Sequence, residues 1–220
     1  MKKLLVLLLL PGFLQAQTPT PCDLLIKNGK IIDGSGNSWY RGNLVINHGK
    51  IVSIFRSAAI SNEENKWQPT RIIDAQDKMV APGFIDVHTH IEGDEKKDPE
   101  AKSFIYDGVT TCITGNCGLS QVDVNRYYNF IDSLQMSINV TMLIGQNDIR
   151  RAVMGRANRD ATYQEQVEME QLVEKAMRDG AVGLSTGLIY IPGTFSKTPE
   201  IIGLAKKAAA FGGVYATHMR

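Results

Sequence analysis

Between residues 23 and 80 the apolar positions come in short β-branched runs. "DLLIKNGKIID", "GNLVINHGKIVSIF" and "RIIDAQDKMV" are punctuated by Asn-Gly, Gly-Ser-Gly-Asn and His-Gly. That texture predicts short strands and tight turns, and Asn28-Gly29 predicts a hairpin turn. The polar run "SNEENKWQPT" at 61–70 predicts a surface loop. Gly34-Ser35-Gly36 lacks the third glycine and the following helix of a dinucleotide loop, so it is read as a turn.

From Pro82 the pattern changes to strands alternating with amphipathic helices. The strand-like runs are "GFIDVH", "VTTCIT" (109–114), "NVTMLIG" (139–145), "AVGLS" (181–185) and "GVYATH" (213–218). Thr162 followed by Glu165 is the capping box of a helix whose stripe is Met169, Leu172, Val173 and Ala176. Gly180 supplies its left-handed stop. A second helix reads Thr198 as cap, Pro199 at the first helical position and Gly212 after the end. Pro99 to Gly108 and Val122 to Met136 are two further helical stretches. Five strands with intervening helices predict an α/β fold with a parallel sheet, either open and doubly wound or a (β/α)8 barrel. Both place chemistry at the carboxyl ends of the strands.

The 220 residues carry a formal net charge of +1, which points to neither nucleic acid nor an anionic surface as partner. "MKKLLVLLLLPGFLQAQ" has two lysines, an apolar run from Leu4 to Leu14 broken late by Pro11-Gly12, and a small residue at Ala16. This is the three-part pattern of a secretory signal over 1–16, too short for the ~20 residues of a membrane span. The expectation is an exported protein, secreted or periplasmic, without a membrane anchor once the signal is removed. Cys22, Cys112 and Cys117 make an odd count, so at least one thiol stays outside any intramolecular disulfide.

The strand run in "PGFIDVHTHIEGD" (82–94) ends in two histidines. Residues i and i+2 of an extended chain face the same side, so His88 and His90 are able to hold one ion together. An HxH pair alone is weak evidence. It gains weight because Cys117, in "GNCG", and His218 fall at the ends of other strands. Cys112 lies inside an apolar run and reads as a small core residue. The flanking glycines of Cys117 let the chain bend close to a ligand, and a thiolate there suits zinc. His48, in "INHGKI", reads as a structural turn residue.

"PGFIDVHTH" after a run of short strands resembles the opening of the amidohydrolase superfamily. Many of its members bridge two metals with a carboxylated lysine on the fourth barrel strand. Here that strand, "AVGLSTGL", has no lysine, and "GNCG" offers a thiol instead. This, with "GLSTGLIYIPGTFSKTPEIIGLAKKAAAFGGVYATHMR", resembles the N-acyl-D-amino-acid deacylase (D-aminoacylase) branch from Asp23 to Arg220. The resemblance implies a small β-sandwich over 17–81 and a (β/α)8 barrel over 82–220, represented by about its first five units. It also implies one or two zinc ions, with His88 and His90 at one metal position, Cys117 shared, and His218 at the other. Tyr190 would line the pocket of a small N-acyl amino acid substrate, and the reaction would be hydrolysis of its amide bond. "HTHIEGD" departs from the family in placing Ile91 where an acid commonly follows the second histidine.

The family's sixth-strand histidine and eighth-strand aspartate, the proton shuttle, have no counterpart before Arg220. The expectation is therefore the amino-terminal part of a longer enzyme, inactive by itself, with no catalytic acid–base residue assignable. The rival expectations are an amidohydrolase acting on cyclic amides or dipeptides, and a non-catalytic secreted metal-binding fragment.

Overall fold

The computed structural model describes residues 18–56 and 63–219. The signal-like segment 1–16 lies outside the described residues. The chain divides into two compact units, Met1–Pro82 and Gly83–Arg220. Among the described residues, no helix is long and apolar enough to cross a membrane.

The first unit is a five-stranded sheet of β1 (Thr20–Ile31), β2 (Tyr40–Asn47), β3 (Lys50–Arg56), β4 (Trp67–Asp74) and β5 (Met79–Val80). The order is β3-β2-β1-β4, with β5 also on β1. β1 runs antiparallel to β2 and parallel to β4 and β5. Cys22, Leu25, Val45 and Phe55 form its core, with Trp67 packed against them. A second sheet facing this one is not present among the described residues of the unit.

Two expectations fail here. Asn28-Gly29 is not a hairpin turn: β1 continues through it, and the register with β2 slips between Ile26 and Gly29. Asn28 takes φ 57°, the left-handed value that a bulge residue needs. Its N–H donates to Asn43 Oδ1 at 3.1 Å, and its side-chain amide to Asp74 Oδ1 at 3.1 Å. Neighbouring strands on both sides hold the chain extended where local preference alone would turn it. The two-residue hairpin is instead His48-Gly49 (φ 50° and 70°), between the paired Asn47 and Lys50, so His48 is a turn residue. The run at 61–70 is not wholly loop either, because β4 begins at Trp67, whose ring packs on the core.

The second unit is mixed α/β. Its strands are β6 (Phe84–Asp86), β7 (Val109–Thr114), β8 (Asn139–Met142), β9 (Ile144–Gly145), β10 (Gly183–Gly187) and β11 (Val214–His218). Pairing is parallel throughout, in the orders β6-β7-β8 and β9-β10-β11. Only Leu143 separates β8 from β9; its N–H bonds Thr114 O, and Val182 N–H bonds Met142 O, both at 2.9 Å. β8 and β9 thus act as one strand, "NVTMLIG", joining the two groups. The helices are α1 (Lys102–Tyr106), α2 (Val124–Leu134), α3 (Gln146–Met154), α4 (Tyr163–Arg178) and α5 (Thr198–Ala209). Val124, Ile131, Ile149, Met169, Val173 and Leu204 meet the buried Met142, Ile144 and Leu184 in one core. At the two outer strands Phe84, Ile85, Val87 and Val214 are exposed.

α4 begins as expected, with Thr162 capping and both bonds of the capping box present. α2 is capped by Asp123, whose carboxylate accepts from Arg126 N–H. α5 starts one residue early: Lys197 is the cap, without a side-chain bond, and Thr198 is already helical. α3 was not foreseen. Its buried face carries Gln146, Asn147 and Arg150 beside Ile149 and Met154, so polar residues interrupt the apolar stripe that marks a helix.

Glu165 closes the capping box and also takes a fork of two bonds from Arg159, at 2.6 and 2.7 Å. The Arg159 bonds first, then the Thr162 N–H, pull its carboxyl from about 4.5 down to about 2. A depressed folded value means that this stability is complete above about 4.5 and lost as pH falls through about 2. The melting temperature of the unsubstituted protein should therefore drop towards that of Glu165→Gln between pH 4.5 and 2. Parallel melting curves across that window would contradict the assignment.

Candidate metal centre

β6 ends at Asp86, and His88 and His90 follow directly beyond its carboxyl end. Thr89, between them, turns inward: it is buried and bonds Ile113 O through both its N–H (3.1 Å) and its hydroxyl (2.9 Å). With Thr89 pinned to β7, alternation carries both histidines to the same exposed side, their ring centroids 5.3 Å apart. They border a cleft of about 430 Å³ lined also by Asp86, Asp94, Asp98 and Phe104.

Cys117 follows β7 in "GNCG". It takes φ 56°, between Gly115 at 74° and Gly118 at 77°. Three side chains clamp this turn with six hydrogen bonds. Glu92 accepts from Gly115 N–H at 2.7 Å and from the Thr114 hydroxyl. Asn116 donates to Ile113 O at 2.9 Å and Thr89 O at 3.4 Å. Ser185, on β10, accepts from Gly118 N–H at 3.0 Å and donates to Gly115 O at 2.5 Å. A side chain in a left-handed conformation is held there only by such surroundings.

The result is a convergence. Cys117 Sγ lies 3.7 Å from His88 Nε2 and 3.6 Å from His218 Nδ1. Ligand atoms of His88, His90 and Cys117 all fall within 4.8 Å of one another. His218 closes β11 opposite Gly187 of β10 in the parallel register. Thus all four residues picked out in the sequence meet, although 101 positions separate Cys117 from His218. Tyr190 joins them: its hydroxyl is 3.4 Å from His218 Nδ1 and its ring stands edge-on to the imidazole. Cys112 stays apart, fully buried with Ile91, Ala101 and Ile138. Glu92, Asn116 and Ser185 were missed; nothing in sequence marks a polar residue that acts by holding a distant turn.

The donor set fits zinc. Thiolate and imidazole ligands at ~2.3 and ~2.0–2.1 Å in tetrahedral arrangement lie roughly 3.5 Å apart, close to the two sulfur–nitrogen separations here. Burial first, and then the Glu92 carboxylate, raise the Cys117 thiol above its ordinary value. A divalent cation reverses that balance, since a coordinating thiol loses its proton.

Comparisons with known proteins bear on the family of the chain. Residues 71–211 match the amidohydrolase family. The chain is 35% identical to D-aminoacylase of Alcaligenes xylosoxydans xylosoxydans, over 91% of this chain and 45% of that protein. It is 33% identical to N-acyl-D-aspartate deacylase of the same organism, over 92% and 44%. The structure of N-acyl-D-glutamate deacylase from Bordetella bronchiseptica, complexed with zinc and a phosphonate mimic of the tetrahedral intermediate, superposes with a TM-score of 0.82. Its identity is 32%, over 91% of this chain and 46% of that one. The chain thus spans a little under half the length of these relatives. With a match across residues 71–211 and a His-x-His, cysteine and histidine set gathered at strand ends, the chain belongs to the amidohydrolase family.

Proposed function

We propose that this chain carries the metal-holding half of a zinc-dependent hydrolase that cleaves N-acyl-D-amino acids into a D-amino acid and a carboxylate. The observation that carries the reading is Cys117 Sγ set 3.6–3.7 Å from both His88 and His218, where a lysine bridge is lacking. His88 and His90 would hold one zinc position, His218 a second, and Cys117 would serve both. The fold reading that goes with it is an incomplete (β/α)8 barrel of about five units, preceded by part of a small β-sandwich.

Zinc, when bound, supplies a Lewis acid and lowers the pKa of a water to roughly 7. The chain's own residues do the rest. Glu92, Asn116 and Ser185 keep the Cys117 turn in place, so the thiol need not be ordered each time ligands assemble. The Tyr190 hydroxyl, beside His218 and partly exposed, is placed to donate to an oxygen of the substrate. On the family resemblance, the proton that the leaving amine needs falls to an aspartate, a role assigned to none of the residues named above.

The test is release of free amino acid from paired N-acetyl-D- and N-acetyl-L-substrates, with zinc, by the protein expressed from its complete reading frame. A misplacement of 1 Å costs on the order of 100-fold in rate, so the D series should lead by about that factor. Residues 17–220 alone should bind zinc and turn over neither series. Faster cleavage of L-substrates or of cyclic amides would overturn the reading.

A further inference from the structure

The Cys117 turn and the Tyr190 turn come from different strands, yet both meet one fully buried side chain, Asn147. Asn147 sits in the first turn of α3, where backbone N–H groups have no partner inside the helix. Its N–H donates to Gly118 O at 3.0 Å, one residue beyond Cys117. Its side-chain Nδ2 donates to Gly187 O at 3.2 Å. The same Gly187 oxygen accepts the Tyr190 N–H at 3.0 Å, so a single carbonyl joins the amide to the Tyr190 turn.

Packing around this amide leaves it no freedom. A Cβ on Gly118 would stand 2.6 Å from Asn147 Oδ1 and 2.7 Å from Gly187 N, and one on Gly193 would strike Oδ1 as well. A Cβ on Gly187 would collide with Cys117 O and lie 2.8 Å from the Tyr190 ring. Asn147 Oδ1 itself has no hydrogen-bond partner among the described residues. Among the described residues, the Nδ2–Gly187 bond is therefore the only hydrogen bond that the buried side chain makes. Reciprocal bonds brace the junction: Ser120 N–H to Asp148 Oδ2 and Gly145 N–H to Ser120 Oγ, each 2.8 Å.

We infer that Asn147 is a positioning residue that sets the distance between the Cys117 thiol and the Tyr190 hydroxyl, and so couples metal binding to the substrate side of the site. It touches neither group; it acts through Gly118 and Gly187. The inference rests on the metal reading of Cys117, and its test separates the two.

Asn147→Asp keeps the shape but turns the donor into an acceptor facing Gly187 O; Asn147→Ser shortens the side chain and keeps a hydroxyl. Ile149→Val, on the buried apolar side of the same helix, is the control for general loosening. Zinc affinity by chelator competition should fall at least about 10-fold in both Asn147 variants, the scale for losing an outer-shell partner, and hold in the control. Backbone amide resonances of Gly118, Leu188 and Tyr190 should move together in the Asn147 variants without zinc, and stay still in Ile149→Val. If the unsubstituted protein and Cys117→Ser bind zinc equally, the metal reading falls, and the zinc-free spectra alone judge Asn147. Shifts confined to the chain neighbours of residue 147, or the same shifts in Ile149→Val, overturn the inference. So does zinc affinity unchanged in a folded Asn147 variant of a protein that binds zinc through Cys117.

Discussion

Cys117→Ser should abolish tight zinc binding, while Cys112→Ser should keep it. A serine hydroxyl is a hard, neutral donor at neutral pH where the site supplies a soft thiolate. Since Cys117 faces both His88 and His218, one substitution weakens every metal position it serves. The loss should exceed the roughly 100-fold that removal of an outer-shell partner can cause. Cys112 is as close in sequence but fully buried among Ile91, Ala101 and Ile138. A hydroxyl there costs stability, about 1–3 kcal/mol, and touches no ligand. Metal content after dialysis against buffered zinc decides between them, and equal content in the two variants would reverse the assignment.

The second large effect is on stability. Glu200→Ala should cost about 3–5 kcal/mol, because it leaves a guanidinium buried without its counter-charge. Arg150 is fully buried on α3 and Glu200, on α5, is 6% exposed at its side chain. The two form an ion pair, and Glu200 also accepts from Ser196 at 2.9 Å and from Gln146 at 3.1 Å. Arg150 spends a further bond on Arg159 O at 2.6 Å. Replacing both partners with apolar residues, Arg150→Met with Glu200→Leu, should cost less than Glu200→Ala alone, since no charge is then stranded. Denaturant unfolding of the single and double variants measures this. A loss below about 1 kcal/mol for Glu200→Ala would mean that water reaches the pair.

Both results concern residues whose roles were unequally visible in the chain. His88, His90, Cys117 and His218 were readable because such donor chemistry is scarce and specific: of the protein's four histidines, His218 closes β11 and His88 and His90 follow just beyond β6. Strand ends could be read from the apolar runs, so the candidate ligands came with their addresses. α4 was readable as well, since its capping box and stripe are both local patterns.

What escaped was decided by contacts between distant segments. Asn28-Gly29 has the composition of a turn, but strands on both sides of β1 keep it extended and convert the turn into a bulge. α3 has no continuous apolar face, because Gln146, Asn147 and Arg150 are buried by hydrogen bonding rather than by hydrophobicity. Glu92, Asn116 and Ser185 look like ordinary polar residues until the fold brings them onto the Cys117 turn. The alternation of strands and helices and the candidate donor atoms for a metal were legible in the chain alone, since periodicity and side-chain chemistry are local properties. How those donors are aimed was settled by the fold, because Glu92 and Ser185, which hold the Cys117 turn, find their partners 22 to 70 residues away.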